Sequence, residues 1–236
     1  MKVGVVLVCA GRGRRLGREE DKAFVNFINK PLFLYSYETF IQVKNVSQLS
    51  LVLRKKYVSL VKRYVSDEKV RLVEGGKERE DSVYNGVLSL DESIDYVIIH
   101  DGARPFVRKE KVEELIRYLR RYDAVTLGIP LREAIKQVEK GVVKQSLERK
   151  NIYITQTPQG FRKDVLLEAY NKFGKGKGLR RGSRREVVDD ETQFLERLGK
   201  KIKVIWGDVF NIKITYPQDL VLGEMIWQGG VKNFLG

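Results

Sequence analysis

The sequence predicts an α/β fold: a mostly parallel sheet with helices on both faces and a protruding β-hairpin arm. Three observations lead there. The chain opens on an unbroken apolar run, Val3 to Cys9, as a strand buried on both faces of a parallel sheet reads. Short apolar runs then alternate with helical stretches, which implies right-handed βαβ crossovers. Two further apolar runs flank Lys140-Gly141, a two-residue hairpin turn. A length of 236 residues can bury a sizeable core. We expect one domain over residues 1–236, with the arm inserted at about 131–150.

In chain order, Pro31 suits the first turn of a helix running to about Val43. Leu49 to Leu53 reads as a strand, Lys56 to Val65 as a helix, and Val70 to Glu74 as a strand. Ser82 to Leu90 is helical, Tyr96 to His100 a strand, Lys109 to Tyr122 a helix, and Ala124 to Ile129 a strand. The arm pairs Ala134–Glu139 with Val142–Leu147. Such a hairpin has little core to join, so it is expected to pack on a partner. Ile152 to Gln156 returns to the sheet, and Lys163 to Asn171 is helical. Asp190 to Leu198 follows as a helix, Lys203–Trp206 and Ile212–Thr215 as strands, and Pro217 opens a last helix to about Trp227.

Composition narrows the chemistry. Lys and Arg number 45 against 31 acids, a net charge of +14, which favours anionic partners. Seven of those cations lie in Lys172–Arg185, with four glycines and no acid, a solvated loop or a lid over an anionic site. A single cysteine excludes a disulfide framework, and a single histidine, His100, excludes multi-histidine metal sites and leaves little for a histidine-based triad. No stretch reaches the 18 or so apolar residues of a membrane span, and Arg12, Arg14 and Arg15 do not suit a secretory cleavage region. We expect a cytoplasmic protein.

The first strand ends in Ala10-Gly11-Arg12-Gly13-Arg14-Arg15-Leu16-Gly17, with Lys22 downstream. Gly11 and Gly13 let the backbone approach a ligand closely. Exposed amides and cations at a strand end form a phosphate cradle. Lys22 lies between Asp21 and Ala23, so this is not a P-loop; Leu16 replaces the third glycine of a dinucleotide fingerprint. The loop resembles the Gly-x-Gly-x-Arg-Leu signature of sugar-nucleotide-type nucleotidyltransferases. The third strand ends in Gly75-Gly76, with Ser82 placed to reach a base edge. The fourth ends in His100-Asp101-Gly102-Ala103-Arg104-Pro105. There Asp101 suits Mg²⁺, which needs one or two carboxylates plus substrate phosphates, or suits orienting Arg104. His100 reads as a packed strand-end residue.

These motifs occur in order with Thr157-Pro158-Gln159 and Asn211-Ile212-Lys213-x-Thr215. Together they resemble the 2-C-methyl-D-erythritol 4-phosphate cytidylyltransferases of the non-mevalonate isoprenoid pathway, over nearly the whole chain. The resemblance implies a Rossmann-like nucleotidyltransferase sheet and CTP, a sugar-alcohol phosphate and Mg²⁺ as ligands. It also implies a homodimer joined through the arm. It assigns Ala10, Gly11, Gly13, Arg15, Lys22, Gly76, Ser82, Asp101 and Ala103 to the nucleotide, with Arg15 and Lys22 catalytic. It assigns Asp101, Arg104, Arg149, Thr157, Asp189 and Lys213 to the acceptor, Arg149 reaching from the partner's arm, and Asp101 to the metal. Asp21 and Ala23 stand where that family usually has proline and glutamine, and Ala134 and Asp189 where it usually has threonine. Rivals are a ribitol-5-phosphate cytidylyltransferase, an NADP-dependent oxidoreductase reading a 2′-phosphate through Arg54-Lys55, and a basic nucleic-acid-binding protein. The last explains the charge but not Asp101 and Arg104.

Overall fold

Strand β1 (Val3–Val8) lies near the centre of a seven-stranded sheet because both of its faces are apolar. Val3, Val5 and Leu7 pack on one side and Val6 on the other. The computed structural model describes all residues except 12, 18–19, 175–179, 182–183, 186–187 and 231–236; for residues 14, 180, 181, 184 and 185 it describes backbone only. After β1 come β2 (Asn26–Phe27), β3 (Lys30–Pro31), α1 (Phe33–Ile41), β4 (Val46–Leu53), α2 (Val58–Val61), β5 (Val70–Glu74) and α3 (Arg79–Leu88). Next are β6 (Tyr96–Asp101), α4 (Lys109–Leu119), β7 (Ala124–Pro130), β8 (Ile135–Glu139), β9 (Val142–Leu147), β10 (Tyr153–Arg162) and α5 (Lys163–Phe173). The chain continues through β11 (Arg180–Arg181), β12 (Arg184–Arg185), α6 (Thr192–Arg197), β13 (Ile202–Trp206) and α7 (Pro217–Gln228).

The sheet order is β13-β7-β10-β6-β1-β4-β5. All neighbours are parallel except β10, which runs antiparallel to both β6 and β7. The mostly parallel α/β expectation is therefore met. Helices α1 and α4 cover one face. In α4 the buried Val112, Leu115, Ile116 and Leu119 repeat at helical spacing, so one stripe meets the sheet. Helices α3, α5 and α6 cover the other face, around Val83, Leu166, Tyr170 and Phe194. A third apolar cluster joins Leu16, Phe27, Ala103, Ile214 and Leu220, and so ties the glycine loop to α7. No helix among the described residues is long and apolar enough to cross a membrane.

Four elements differ from expectation. Pro31 does not open a helix: it pairs with Asn26 across a turn in which Ile28 has φ +59°, and α1 starts at Phe33. Past Arg54, helix is short, a 3₁₀ turn at Lys55–Tyr57 followed by α2. The strand expected over Ile152–Gln156 runs on to Arg162, so Thr157-Pro158-Gln159 lies within β10. Residues 157 and 158 bulge from the ladder between Gln156 and Gln159, which admits a proline that has no N–H to donate. Ile212–Thr215 forms no strand. Its Ile214 N–H donates to the Ala103 carbonyl at 2.8 Å, and that bond, the buried Ile214 side chain and the Lys213–Asp101 ion pair dock it beside β6.

The hairpin β8–β9 forms over the expected residues, in register Ile135↔Leu147 to Glu139↔Val142. Its turn has Lys140 at φ +49° and Gly141 at φ +81°, the left-handed pair of a tight hairpin. Val138, Val142, Val143 and Leu147 are exposed on it. The stretch Lys172–Arg185, read as a solvated loop or a lid, falls mostly outside the described residues.

Candidate active site

The carboxyl ends of β1, β4, β5 and β6 open into one cavity of about 830 Å³. Its walls carry eight Lys and Arg residues against three carboxylates, Glu74, Glu78 and Asp101. That imbalance selects an anionic ligand with several charges. Open parallel sheets bind ligands at this edge.

Asp101 ends β6 and is buried. Its N–H donates to Thr157 Oγ1 at 3.1 Å. Its Oδ2 lies 2.5 Å from Lys213 Nζ, and its Oδ1 lies 3.5 Å from Arg79 Nε. Burial by itself would raise the pKa of this carboxyl. Arg79, Lys213 and Arg104 outweigh burial and hold it far below the ordinary range, so Asp101 is a permanent anion.

Arg79 opens α3, and its Nη1 donates to both oxygens of the fully buried Glu191, at 2.9 and 3.0 Å. Tyr170 donates its hydroxyl to Glu191 Oε1 at 3.2 Å. Burial would lower the pKa of Arg79, but Glu191 and Asp101 reverse that and keep it charged. The chain Tyr170–Glu191–Arg79–Asp101 thus fixes the guanidinium from behind while its Nε faces the site carboxylate.

Lys22 lies in a 3₁₀ turn after the glycine loop. Gly13 has φ +62°, and a Cβ there would meet the Lys22 nitrogen at 2.8 Å, so the loop closes onto Lys22 only with glycine at 13. The pKa of Lys22 is lowered to about 8. Burial is the largest cause, followed by Lys213, with Arg15 and Arg104 adding to it against Asp101. Arg15 is exposed and stands over the Tyr216 ring, 5.6 Å from its centroid.

The turn after β5 is shaped by contact. A Cβ on Gly75 would sit 2.4 Å from Ala10 Cβ, and one on Gly76 2.2 Å from Asp81 Cβ. Ser82 Oγ accepts from the Gly76 N–H at 3.0 Å and donates to the Glu78 carbonyl at 3.1 Å. Ser82 therefore spends its proton on the turn it builds and offers a base only an acceptor.

The IspD family model, described as 2-C-methyl-D-erythritol 4-phosphate cytidylyltransferase, matches residues 3–229. A protein of that name from Clostridium botulinum (strain Okra / Type B1) is 35% identical over 230 residues, 95% of this chain and 97% of its own. One from Bacillus mycoides (strain KBAB4) is 32% identical over 224 residues, 93% of this chain and 95% of its own. The crystal structure of 4-diphosphocytidyl-2C-methyl-D-erythritol synthase from Anaerococcus prevotii DSM 20548 superposes with a TM-score of 0.83, at 26% identity and 96% coverage of both chains. The 2-C-methyl-D-erythritol 4-phosphate cytidylyltransferase of Thermus thermophilus gives 0.76 at 26% identity, covering 96% of this chain and 98% of its own.

This chain belongs to the IspD cytidylyltransferase family.

Within this IspD chain the expected nucleotide residues converge. Ala10, Gly11, Arg15, Lys22, Gly76, Ser82, Asp101 and Ala103 all line the cavity, and Gly13 supports it from behind Lys22. Of the expected acceptor residues, only Asp101 and Lys213 line it. Arg104 is held beneath, its Nη1 donating to the Asn211 carbonyl at 2.8 Å, which seats the Lys213 segment. Thr157 is buried, with its hydroxyl taken by Asp101. Asp189 is exposed, before the anchored Asp190 and Glu191. Arg149 lies at the base of the exposed arm, hydrogen-bonded to the Arg132 carbonyl.

Arg79 and Glu191 carry no motif that points to their pairing, and the acidic triplet Asp189-Asp190-Glu191 is the sequence signal nearest to it. His100 is packed, as expected. Burial above all lowers its pKa to about 4, and its Nε2 lies 3.1 Å from the Arg104 carbonyl, which fixes a neutral ring donating there. Cys9 lines the cavity, but burial pushes its thiol up and keeps it unreactive.

Proposed function

We propose that this chain transfers the cytidylyl group of CTP to 2-C-methyl-D-erythritol 4-phosphate, giving 4-diphosphocytidyl-2-C-methyl-D-erythritol and pyrophosphate. The observation that carries the reading is the convergence of the glycine loop, Lys22, the Gly75-Gly76 turn and Asp101 on one cation-rich cavity in an IspD chain. An acceptor phosphate oxygen attacks the α-phosphorus, and the bond to the β-phosphate oxygen breaks. The second pKa of a phosphate monoester is about 6, so the nucleophile is already ionised at pH 7 and needs no general base. This agrees with a site whose single histidine is buried, neutral and occupied.

The protein's task is to orient two polyanions and offset charge growing at the α-phosphate. Lys22 and Arg15 take the triphosphate, and Lys213 takes the acceptor phosphate. Glu191 holds Arg79, and Arg79 with Lys213 holds Asp101, in place. The described residues contain no cluster of three metal-ligating side chains. One ionised oxygen donor beside substrate phosphates is what a nucleotide-borne Mg²⁺ needs, and Asp101 would hold it. When bound, that ion neutralises phosphate charge and helps orient the oxygens. We place the enzyme in the cytoplasm as a homodimer whose arms pack on the partner.

Pyrophosphate release from each of the four nucleoside triphosphates, with methylerythritol phosphate or ribitol 5-phosphate as acceptor, tests the assignment. CTP with methylerythritol phosphate is expected to be at least tenfold better than any other pair, since one mispaired buried polar group costs about 1–3 kcal/mol. Equal turnover of UTP would remove the base assignment. Preference for ribitol 5-phosphate would replace the acceptor.

A further inference from the structure

Resting on that reading, we propose that the turn after β4 is a polyphosphate subsite. Arg54 and Lys56, anchored by the buried Asp21, take the distal phosphates of the nucleotide and the departing pyrophosphate. Both cations line the same cavity as Lys22 and Asp101. Asp21 is 1% exposed, and its Oδ1 accepts from Arg54 Nη1 at 2.8 Å and lies 3.6 Å from Lys56 Nζ. Its N–H donates to the Tyr57 hydroxyl at 2.7 Å, and Tyr57 stacks on Phe24 with centroids 3.7 Å apart. The turn and the Lys22 loop are thus one rigid piece.

A buried carboxylate is retained in a protein when cations pair with it. Here two cations meet one anion, so the cluster keeps a surplus positive charge at the cavity wall. A guanidinium has five N–H donors in a fixed fork, and the bond to Asp21 leaves donors for a phosphate. A triphosphate carries about four negative charges, two on its last phosphate, so Arg54 and Lys56 add to what Arg15, Lys22, the loop amides and a nucleotide-borne Mg²⁺ would offset. Asp21 also explains itself this way. It sits beside Lys22 yet points at Arg54 and Lys56, so it fastens cations rather than cancelling the lysine.

Two variants test the subsite. Asp21→Asn with Arg54→Gln removes the guanidinium without leaving a buried carboxylate unpaired, and Lys56→Gln changes only a half-exposed side chain. Each is titrated by calorimetry with magnesium pyrophosphate and, separately, with CMP, which lacks the distal phosphates. Pyrophosphate affinity is expected to fall about tenfold in the double variant and several-fold in Lys56→Gln, with CMP affinity within twofold of wild type. Unchanged pyrophosphate affinity in both variants overturns the subsite, as does a parallel loss of CMP, which would mean that the turn only shapes the cavity. Wild-type enzyme that releases no pyrophosphate from CTP would overturn the parent reading instead, because binding of free pyrophosphate is measured apart from turnover.

Discussion

Lys22 shows how a residue is tuned by what surrounds it. Burial above all, and then a mostly cationic neighbourhood, makes its ammonium lose a proton near pH 8 rather than near 10.5. A triphosphate reverses that balance and draws the proton back. At pH 8 about half of the free sites hold a neutral lysine, so CTP binding should take up roughly half a proton per site, falling towards zero by pH 6.5. Calorimetry in buffers of different ionisation enthalpy reads this directly. Lys22→Ala should abolish the uptake and lower kcat about 10²-fold, the usual loss for one electrostatic donor. Equal uptake in wild type and variant would assign the proton elsewhere. The same field acts oppositely on Asp101, where cations hold a carboxylate ionised despite burial. One cluster therefore sets both charge states.

Elements differ in how completely they satisfy themselves. The inner sheet strands β1, β4 and β6 bury both faces, whereas β8 and β9 expose nearly every residue. A two-stranded hairpin alone is marginal in water, and this one carries exposed valines. Packing against a second chain would remove that apolar surface, and Arg149 at its base would then serve the partner's cavity. In a closed two-fold dimer, mixing inactive Lys22→Ala with inactive Arg149→Ala gives half mixed dimers, each with one intact site. About a quarter of wild-type activity should return after subunit exchange is verified by mass. No recovery would put Arg149 in its own subunit's site or in none. Arg149 alone should affect KM for the sugar phosphate far more than KM for CTP.

Across the whole molecule, the end of β6 joins stability to function. His100 packs 5.1 Å from the Phe40 ring of α1 and bonds the Arg104 carbonyl, one residue before the site aspartate. Its pKa of about 4 lies below the ordinary 6.5, so the folded state resists its protonation. The stability this contributes is fully present above pH 6.5 and is lost as pH falls towards 4. By pH 4.5 the loss should be roughly 2–3 kcal/mol. Denaturant unfolding at pH 7 and 4.5 measures it, with His100→Gln as the reference that lacks the step. An identical pH dependence in both proteins would remove His100 from the acid response.

The sequence by itself determined most of the sheet, the order of its elements and most of the residues that line the cavity. Those features rest on local signals: apolar runs for strands, glycines where the backbone must turn or approach, and a lysine at fixed distance from its loop. Even the arm's turn was readable, because Lys140-Gly141 specifies its own backbone. Only the tertiary structure decided the direction of β10, the docking of Ile212–Thr215 beside β6, and the partners of the charged residues. Ladder direction depends on which strands become neighbours, and that depends on the whole chain. Glu191 reaches Arg79 across 112 positions, and Asp21 reaches Arg54 across 33. No local pattern encodes such pairs, because a buried charge finds its partner only after the apolar faces have collapsed and removed the water that would otherwise solvate it.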